Sequence, residues 1–371
     1  MITYIRSGAI YDDSRATKEI KALLKAGFSI HVIGWDKAGD ACQRCKSVFG
    51  DSSIHFSFYQ KRVKGGLGFR GIFKLLGFFM FCNRQIKKEL KIIEAIHACD
   101  LDGAIVASKI CKKNKIKLIY DIYDYYIDTH KVPSIIESRV EKAEIEVINN
   151  AALTVICTEE RKEQINKSNP QKTIVIYNSP QIDNSCNKTE EKYDYSYCGT
   201  LSDMRLIEEI VLEYSKHPDL VFCFAGSGRM ESLIKETAAK YENFFYLGAI
   251  PYDAVLEIEK QSKVISAIYE PSIRNHRLCA PNKFYEALAL SKPVIVCNNT
   301  GIDKIANENN AGIAINYSAE EFYQELIKLR DDPELRNEMG NNGRTLYDKY
   351  YSWSLMEQLL INEYKRLLNC S

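Results

Sequence analysis

A lysine and a glutamate stand three residues apart in CAPNKFYEALALSKPVIVC, where the sequence predicts the start of a helix. Pro281 suits a helix start, because the N–H that proline lacks has no intrahelical partner there. Lys283 and Glu286 then share one face of the first turns. A lysine in the first turn opposes the helix dipole, so stability alone would favour an acidic residue. We therefore interpret Lys283 as a phosphate ligand and Glu286 as an acceptor for sugar or ribose hydroxyls; an exposed ion pair is the alternative.

Two glycine turns in the same half of the chain follow predicted strands. In YCGTLSDMR, Gly199 and Thr200 follow a strand and Arg205 precedes a helix. In FAGSGRMES, Gly226 and Gly228 lie between a strand and a helix start. Glycine lets the backbone approach a ligand, and a helix start favours an anion. Either turn alone indicates only a positive φ, but two in one half of the chain, one with an arginine, favour phosphate binding.

The elements that position these residues alternate between short apolar runs and amphipathic segments, which predicts parallel sheets with crossover helices. Ligands of such sheets bind at the carboxyl ends of the strands. In the first half, the predicted strands are ITYIR, SIHVIG, IHFSFY, IKLIYDIYD, LTVIC and TIVIYN. In the second half, they are YDYSYCG, LVFCFAG, FFYLG, VISAIY, PVIVC and GIAINY, with helices over 206–216, 229–241, 252–261, 282–290 and 302–308. Ser14 is the expected N-cap of the first helix and Gly27 its stop.

The chain of 371 residues is too long for one typical core, so two domains are expected. The polar segment NSPQIDNSCNKTEEKYD separates two complete strand–helix series. We predict a first domain over residues 1–180 and a second over residues 181–350. Residues 351–371 form an amphipathic helix that either closes the second domain or crosses back to the first.

Composition excludes some classes of protein. Lys and Arg number 50 against 49 Asp and Glu, which argues against a dedicated nucleic-acid binder. The start has no signal-peptide pattern and no apolar run reaches bilayer length, so we expect a cytoplasmic chain. Of the twelve cysteines, several stand alone in apolar runs, which indicates reduced core thiols: Cys157, Cys198, Cys223 and Cys297. The C-x-x-C of Cys42 and Cys45 lacks a second pair, so no metal site is expected.

Residues 61–91 combine apolar and basic side chains in a way typical of a helix on an anionic membrane surface, with burial in the core as the alternative. The apolar residues are Leu67, Phe69, Ile72, Phe73, Leu75, Leu76, Phe78, Phe79 and Phe81. The basic residues are Lys61, Arg62, Lys64, Arg70, Lys74, Arg84, Lys87 and Lys88. The segment therefore predicts peripheral contact with the inner face of the cell membrane and suits an acceptor carried on a lipid.

PNKFYEALALSKPVI resembles the donor-site motif of the family 4 retaining glycosyltransferases of polysaccharide biosynthesis. Further segments resemble that family in the same order, over nearly the whole chain: DSRATKEIKALLKAGFSIHVIG, the IHACDLD loop, YDIYDYY, LTVICTEERKEQI, IVIYNSP, YCGTLSDMR, FAGSGRMES and FFYLGAIP. The resemblance implies the GT-B fold, in which two Rossmann-like domains with parallel sheets face each other across a cleft. The first domain would bind the acceptor and the second the nucleotide-sugar donor.

The resemblance also implies a reaction. A hexose would pass from a nucleotide diphospho-sugar to an acceptor hydroxyl of a glycan, with retention at the anomeric carbon. Basic side chains and a helix start, rather than a metal or other cofactor, would stabilise the departing diphosphate. Arg205 and Lys283 match the family's diphosphate ligands and Glu286 its ribose ligand. The backbone of Ala280, Pro281 and Asn282 matches the turn beside the sugar.

Two positions depart from the family pattern. Leu278 stands where the family has its first motif glutamate, and Tyr123 and Asp124 stand in place of a His-Glu pair. His97 or Asp124 would then take over catalytic work, although His97 fits a buried core histidine equally well. Two other functions stay open: a GT-B sugar-nucleotide epimerase, which Leu278 disfavours, and a donor-binding subunit that has lost catalysis.

Overall fold

The computed structural model describes residues 1–8, 10–11, 13–50, 53–61, 69–130, 132–182 and 189–369, without the side chains of 69–72. The described chain forms two compact units. One comprises Met1–Ile176 with Met356–Ser371, and the other comprises Tyr177–Leu355. The change of unit after Ile176 lies four residues before the boundary placed at residue 180 from the sequence, and the end of the chain packs with the first unit.

The first unit is a seven-stranded parallel sheet in the order β3-β2-β1-β4-β5-β6-β7. Its strands are β1 (Ile2–Arg6), β2 (Ile30–Asp36), β3 (Ile54–Gln60), β4 (Ala95–Cys99), β5 (Lys117–Asp121), β6 (Leu153–Ile156) and β7 (Thr173–Val175). Its helices are α1 (Ser14–Lys25), α2 (Ala41–Phe49), α3 (Phe69–Glu89), α4 (Asp100–Asn114), α5 (Tyr126–Thr129) and α6 (Ser134–Asn150), with a 3₁₀ turn at Glu160–Glu163.

The second unit is a six-stranded parallel sheet in the order β10-β9-β8-β11-β12-β13. Its strands are β8 (Tyr193–Cys198), β9 (Phe222–Ala225), β10 (Phe244–Tyr246), β11 (Ser262–Ala267), β12 (Val294–Cys297) and β13 (Gly312–Ile315). Its helices are α7 (Ile207–Glu213), α8 (Glu231–Ala238), α9 (Tyr252–Lys260), α10 (Asn282–Ala289), α11 (Ile302–Glu308), α12 (Ala319–Asp331) and α13 (Pro333–Leu346). Short helical turns lie at Asp203–Arg205, Tyr214–Lys216, Arg274–Leu278 and Tyr347–Tyr351, and α14 (Trp353–Leu368) follows.

Helices pack on both sheets, so the central strands are buried on both faces, as is usual for parallel sheets. In the first unit, α3 lays Phe78, Cys82 and Ile86 on the sheet, with Phe78 stacked on Trp35 at 5.5 Å between ring centroids. In the second unit, the aromatic core is built by Tyr195, Tyr214, Phe222, Phe224 and Phe322. These cores fix the strand ends from which the loops of each unit emerge.

Most elements agree with the sequence prediction, and two details do not. The IHACD segment was interpreted as a loop, but Ala95–Cys99 is strand β4 in the middle of the sheet, with His97 at its centre. The N-cap of α1 is Asp13 rather than Ser14, because the Asp13 carboxylate accepts from the Ala16 N–H at 2.9 Å. Gly27 ends this helix as predicted, with φ +86°.

In each sheet, the first three strands are added in one direction across the sheet, and the later strands are added on the other side of the first strand. We call the place between these two sets of strands the reversal point. The first unit reverses between β1 and β4, and the second between β8 and β11. In open parallel sheets, the loops at such a point separate above the carboxyl ends of the strands and leave room for a ligand. The loop after β8 contains Gly199 and Arg205, and the loop after β11 leads through Arg274–Leu278 to α10.

The cysteine prediction is confirmed for Cys157, Cys198, Cys223 and Cys297, which are buried thiols outside any disulfide. Cys45 is buried and Cys42 is partly buried, and both lie within α2. Among the helices of the described residues, none combines the length and apolar character needed to span a bilayer. Several residues of the predicted membrane segment lie outside the description: residues 62–68 entirely, and the side chains of Phe69, Arg70 and Ile72.

Candidate active site

Lys283 and Gly199 are brought together at the carboxyl end of β8. Lys283 is the second residue of α10, and its Nζ lies 4.7 Å from the ring centroid of Tyr197. Gly199 has φ +156°, and a Cβ built on it would lie only 2.4 Å from Lys283 Nζ. The absence of a side chain at residue 199 therefore makes room for the ammonium group above this loop.

The surroundings of Lys283 keep it charged. Burial lowers the pKa of the ammonium, but Tyr197 and Glu286 outweigh burial, so the pKa lies above its ordinary value. Glu286 itself is buried, with 2% of its surface exposed, and accepts a hydrogen bond from the Tyr252 hydroxyl at 2.8 Å. Burial, together with the Glu286 carboxylate, raises the pKa of Tyr252, which therefore stays a hydrogen-bond donor.

Arg205 is held by an aromatic ring and an imidazole. Its guanidinium carbon lies 3.6 Å from the ring centroid of Tyr269, and its Nη1 lies 3.0 Å from His276 Nε2. His276 Nδ1 lies 3.0 Å from the Glu270 carbonyl oxygen, which can only accept, so Nδ1 carries the proton. Nε2 is then the acceptor for Arg205. Sequence reasoning missed Tyr269 and His276, because the loop after β11 has no periodic pattern.

Lys283 and Arg205 differ from many other cationic side chains of the described residues in the kind of partner that holds them. Within the described residues, neither Lys283 nor Arg205 forms a salt bridge with a carboxylate, whereas Arg15 and Arg161 do. Aromatic faces stabilise a cation but leave its N–H groups able to donate to another partner. The loop above β8 and β11 therefore presents two positive charges that an anion could bind.

The second glycine turn packs against the first. A Cβ on Gly226 would lie 1.8 Å from the Gly199 carbonyl oxygen, and one on Gly228 would lie 2.2 Å from the Leu201 carbonyl oxygen. Gly199 N donates to the Ala225 carbonyl at 2.8 Å and fixes the same contact. This close approach accounts for both glycines of the second turn, and a direct contact of Gly226 or Gly228 with a phosphate stays a prediction.

The remaining predicted donor residues line the same region. Thr200 is exposed, and its carbonyl oxygen accepts from the Tyr197 hydroxyl at 3.0 Å. Ala280 is buried, and its carbonyl oxygen accepts from Asn178 Nδ2 at 2.9 Å. Pro281 is the N-cap of α10 and has an extended conformation. The helix therefore begins at Asn282 and not at the proline itself. Their contact with a sugar stays a prediction.

His97 and Asp124 belong to the first unit and have different environments. His97 is fully buried in β4, stacked on Tyr4 at 4.3 Å, with Nδ1 2.5 Å from the Tyr364 hydroxyl and Nε2 3.3 Å from Asp121. These are the contacts of a core histidine. The Asp124 side chain is 48% exposed and pairs with Arg161 Nη2 at 3.0 Å. Of the two, Asp124 is accessible to a substrate.

Asp100 and Arg6 occupy the reversal point of the first unit, and sequence reasoning missed both. The Asp100 carboxylate accepts from the N–H groups of Tyr123 at 3.1 Å and Asp124 at 3.3 Å. Arg6 lies 3.5 Å from Asp100 and 4.2 Å above the Tyr123 ring. Burial holds the pKa of Asp100 above its ordinary value, although Arg6 opposes the shift. Their position, with Arg6 at the end of β1 and Asp100 directly after β4, was the available indication.

Comparison with known proteins agrees with this geometry. Residues 178–346, within the second unit, match the family model of the glycosyl transferases group 1. An uncharacterized glycosyltransferase of Methanocaldococcus jannaschii is 23% identical over 79% of this chain and 71% of its own length. The chain is a glycosyltransferase. The capsular polysaccharide biosynthesis glycosyltransferase CapM of Staphylococcus aureus is 28% identical over 51% of each chain, so the match spans about half of CapM.

Among solved structures, Anabaena HepE in complex with UDP-glucose superposes with a TM-score of 0.71 at 12% identity, over 98% of this chain and 99% of HepE. Likeness at this identity identifies the fold. The transferase therefore has the GT-B fold, with two Rossmann-like parallel-sheet units. The family match contains every predicted donor residue, from Gly199 to Glu286.

Proposed function

We propose that this glycosyltransferase is a retaining enzyme that moves a hexose from a nucleotide diphospho-sugar to a glycan hydroxyl. The observation that carries the proposal is the pair of cations, Lys283 and Arg205, held by aromatic rings and an imidazole above the carboxyl ends of β8 and β11. Transfer leaves negative charge on the departing diphosphate. Two preorganised cations stabilise that charge more in the transition state than in the ground state.

In this proposal each residue has one task. Lys283 and Arg205 bind the diphosphate, and the Gly199 loop lets it approach the backbone. Glu286 accepts from the ribose hydroxyls, and the Tyr252 hydroxyl orients its carboxylate at 2.8 Å. The backbone at Ala280 and Asn282 borders the sugar. The two cations supply the charge that a divalent ion would otherwise bring, so we expect turnover without added metal.

The donor is tested by thermal shift against a panel of nucleotide sugars, since a true donor stabilises the folded state by mass action. Turnover is then followed with the labelled donor that binds, in the presence of a chelator. The anomeric configuration of the product, read by NMR, distinguishes retention from inversion. Inverted product would refute the stereochemical part of the proposal and leave the donor assignment standing.

Replacement of Lys283 tests the role of the cation. We expect Lys283→Ala to lower turnover by about 10²-fold or more, as loss of one strong electrostatic contact does, while changing the free energy of unfolding by about 1 kcal/mol or less. Lys304→Ala is the matched control, since Lys304 is an exposed lysine near the start of α11 in the same unit. Unchanged turnover in Lys283→Ala, or an equal loss in both variants, would refute the assigned role.

For the acceptor, we propose a lipid-linked or surface-polysaccharide glycan at the inner face of the cell membrane. The relative CapM acts in capsular polysaccharide biosynthesis, which supports a glycan of this class. The exposed surface of helix α3 supports the proposed contact with the membrane. Opposite its buried face, this helix exposes an apolar stripe of Phe73, Leu76 and Met80, which are 72%, 49% and 69% exposed. Exposed basic residues continue along the helix and beyond it: Arg84, Lys87, Lys88 and Lys91. Such a surface combines apolar insertion with attraction to anionic lipids.

Flotation with liposomes containing phosphatidylglycerol tests the membrane contact. The double variant Phe73→Asp with Met80→Asp should remain in the soluble fraction, because two carboxylates oppose both insertion and the anionic surface. Leu212→Asp is the control, since Leu212 is 60% exposed on α7 of the other unit. Equal flotation of wild type and double variant would refute membrane contact through α3, without bearing on donor turnover.

A further inference from the structure

A cluster of two histidines and a glutamate lies in the first unit at the amino ends of β2 and β3, whereas the reversal point lies at the carboxyl ends of β1 and β4. His31 and His55 are the second residues of β2 and β3 and are paired in register, and Glu89 is the last residue of α3. His31 Nδ1 lies 2.5 Å from one Glu89 carboxylate oxygen, and His55 Nε2 lies 3.0 Å from the other. The three ligand-type atoms lie within 4.8 Å of one another.

The inner histidine has a second hydrogen-bond partner of the kind that metal ligands usually have. His31 is buried, with 1% of its surface exposed, and its Nε2 lies 3.0 Å from the Ser57 hydroxyl. A ligating histidine usually makes such a hydrogen bond through its second nitrogen, which sets the tautomer and the ring orientation. When Nε2 donates to the Ser57 hydroxyl, Nδ1 presents its lone pair on the side of Glu89, where an ion would bind.

The outer ligands leave a path for an ion. β3 is the edge strand of the sheet, the His55 side chain is 50% exposed, and that of Glu89 is 25% exposed. The two imidazoles stack at 4.2 Å between centroids with 13° between their planes, and their nitrogens share one carboxylate. Parallel rings do not point their lone pairs at one ion. Binding therefore requires His55 to turn out of the stack, which its exposed position on the edge strand allows.

We propose that His31, His55 and Glu89 bind one divalent transition-metal ion of the zinc type. The ligands are His31 Nδ1, His55 Nε2 and a Glu89 oxygen, and water fills a fourth position. On binding, the imidazole nitrogen that faces Glu89 gives up its proton and the other ring nitrogen takes one up, so each histidine binds as a neutral ligand and no net proton is released. The site lies at the amino ends of β2 and β3, so it stabilises the first unit and takes no part in the transfer reaction. The proposal does not depend on the proposed function.

Titration of the chelator-stripped chain with Co²⁺ and Zn²⁺ tests this site. We expect one equivalent of Co²⁺ to bind with the visible absorption of a four-coordinate site and without a thiolate charge-transfer band. The second feature excludes binding by cysteine. Zn²⁺ should displace Co²⁺ and raise the melting temperature of the wild type by mass action.

Variants assign the ligands. His55→Ala and Glu89→Gln alter the partly exposed ligands, so the fold should survive, and both should lose the stoichiometric Co²⁺ spectrum and the Zn²⁺-dependent rise in melting temperature. Two controls, His130→Ala and Cys42→Ser, change an exposed histidine and a partly buried thiol outside the cluster and should bind as the wild type does. Absence of stoichiometric binding in the wild type, or its persistence in both ligand variants, would overturn the proposal and leave a hydrogen-bonded cluster only.

Discussion

Replacement of Gly199 by alanine tests the position of Lys283 by the smallest change that the chain offers. The added Cβ would lie 2.4 Å from Lys283 Nζ, well inside van der Waals contact. Separation to an ordinary contact of about 3.5 Å requires the ammonium to move by roughly 1 Å. The lysine end is flexible, so this move costs little stability. A misplacement of that size in a site that acts by position can lower turnover by about 10²-fold.

The backbone adds a second, separable cost. Gly199 has φ +156°, which alanine rarely adopts, so Gly199→Ala should also lower the free energy of unfolding by about 1–3 kcal/mol. Gly27→Ala isolates that cost, since Gly27 has φ +86° and nothing within 4 Å of a built Cβ. Gly226→Ala is the opposite control, because its Cβ would lie 1.8 Å from a backbone oxygen, so it should destabilise more than either.

The assay compares turnover of the labelled donor with urea denaturation for all three variants. We expect Gly199→Ala to lose turnover far beyond its loss of stability, Gly27→Ala to lose stability alone, and Gly226→Ala to lose mainly stability. A Gly199→Ala protein that is folded and turns over within twofold of the wild type would refute the placement of the ammonium group over this loop as a requirement for catalysis.

Two further predictions follow from buried groups. His276→Phe removes the acceptor that orients Arg205 at 3.0 Å, so the KM for the donor should rise by about tenfold. His276→Gln retains an acceptor and should recover part of this loss. Equal KM values in the two variants would contradict the positioning role. Glu144 is buried beneath the Tyr120 hydroxyl at 2.7 Å, and burial raises its pKa to about 8, so its contribution to stability is fully present below about pH 4 and is lost as the pH rises toward 8. Glu144→Gln keeps an acceptor for Tyr120 without this loss, so its stability relative to the wild type should grow by roughly 1.4 kcal/mol per pH unit between about pH 5 and 8, and a pH-independent difference in urea denaturation would contradict the shift.

The convergence of Gly199 and Lys283 could be anticipated because the local geometry of each is simple, whereas their contact with a donor stays a prediction. A strand, a glycine turn and a helix start each place their own residues, and the rule for carboxyl ends then brings Gly199 and Lys283 to one edge. The roles of Gly226 and Gly228 could not be predicted, because they depend on how closely one loop packs on another that is 25 residues or more distant in sequence. The same holds for His276, whose partner Arg205 is 71 residues away.

The first unit was harder to interpret from sequence, and the reason lies in β4. Five residues, Ala95–Cys99, run directly into Asp100 at the start of α4, and the IHACDLD segment that contains most of them resembled a loop of the family. The strand forms because His97 finds partners in Tyr364 and Asp121, which are distant in sequence. Tertiary contacts therefore compensate a polar residue that strand propensity disfavours.

Comparison of the two reversal points supports the proposed donor site at the second unit. In the second unit, aromatic rings and an imidazole hold the cations Lys283 and Arg205, and neither cation forms a salt bridge with a carboxylate among the described residues. In the first unit, Arg6 faces Asp13 and Asp100, so its charge is largely compensated. An anionic diphosphate therefore has a stronger electrostatic reason to bind above β8 and β11 than above β1 and β4.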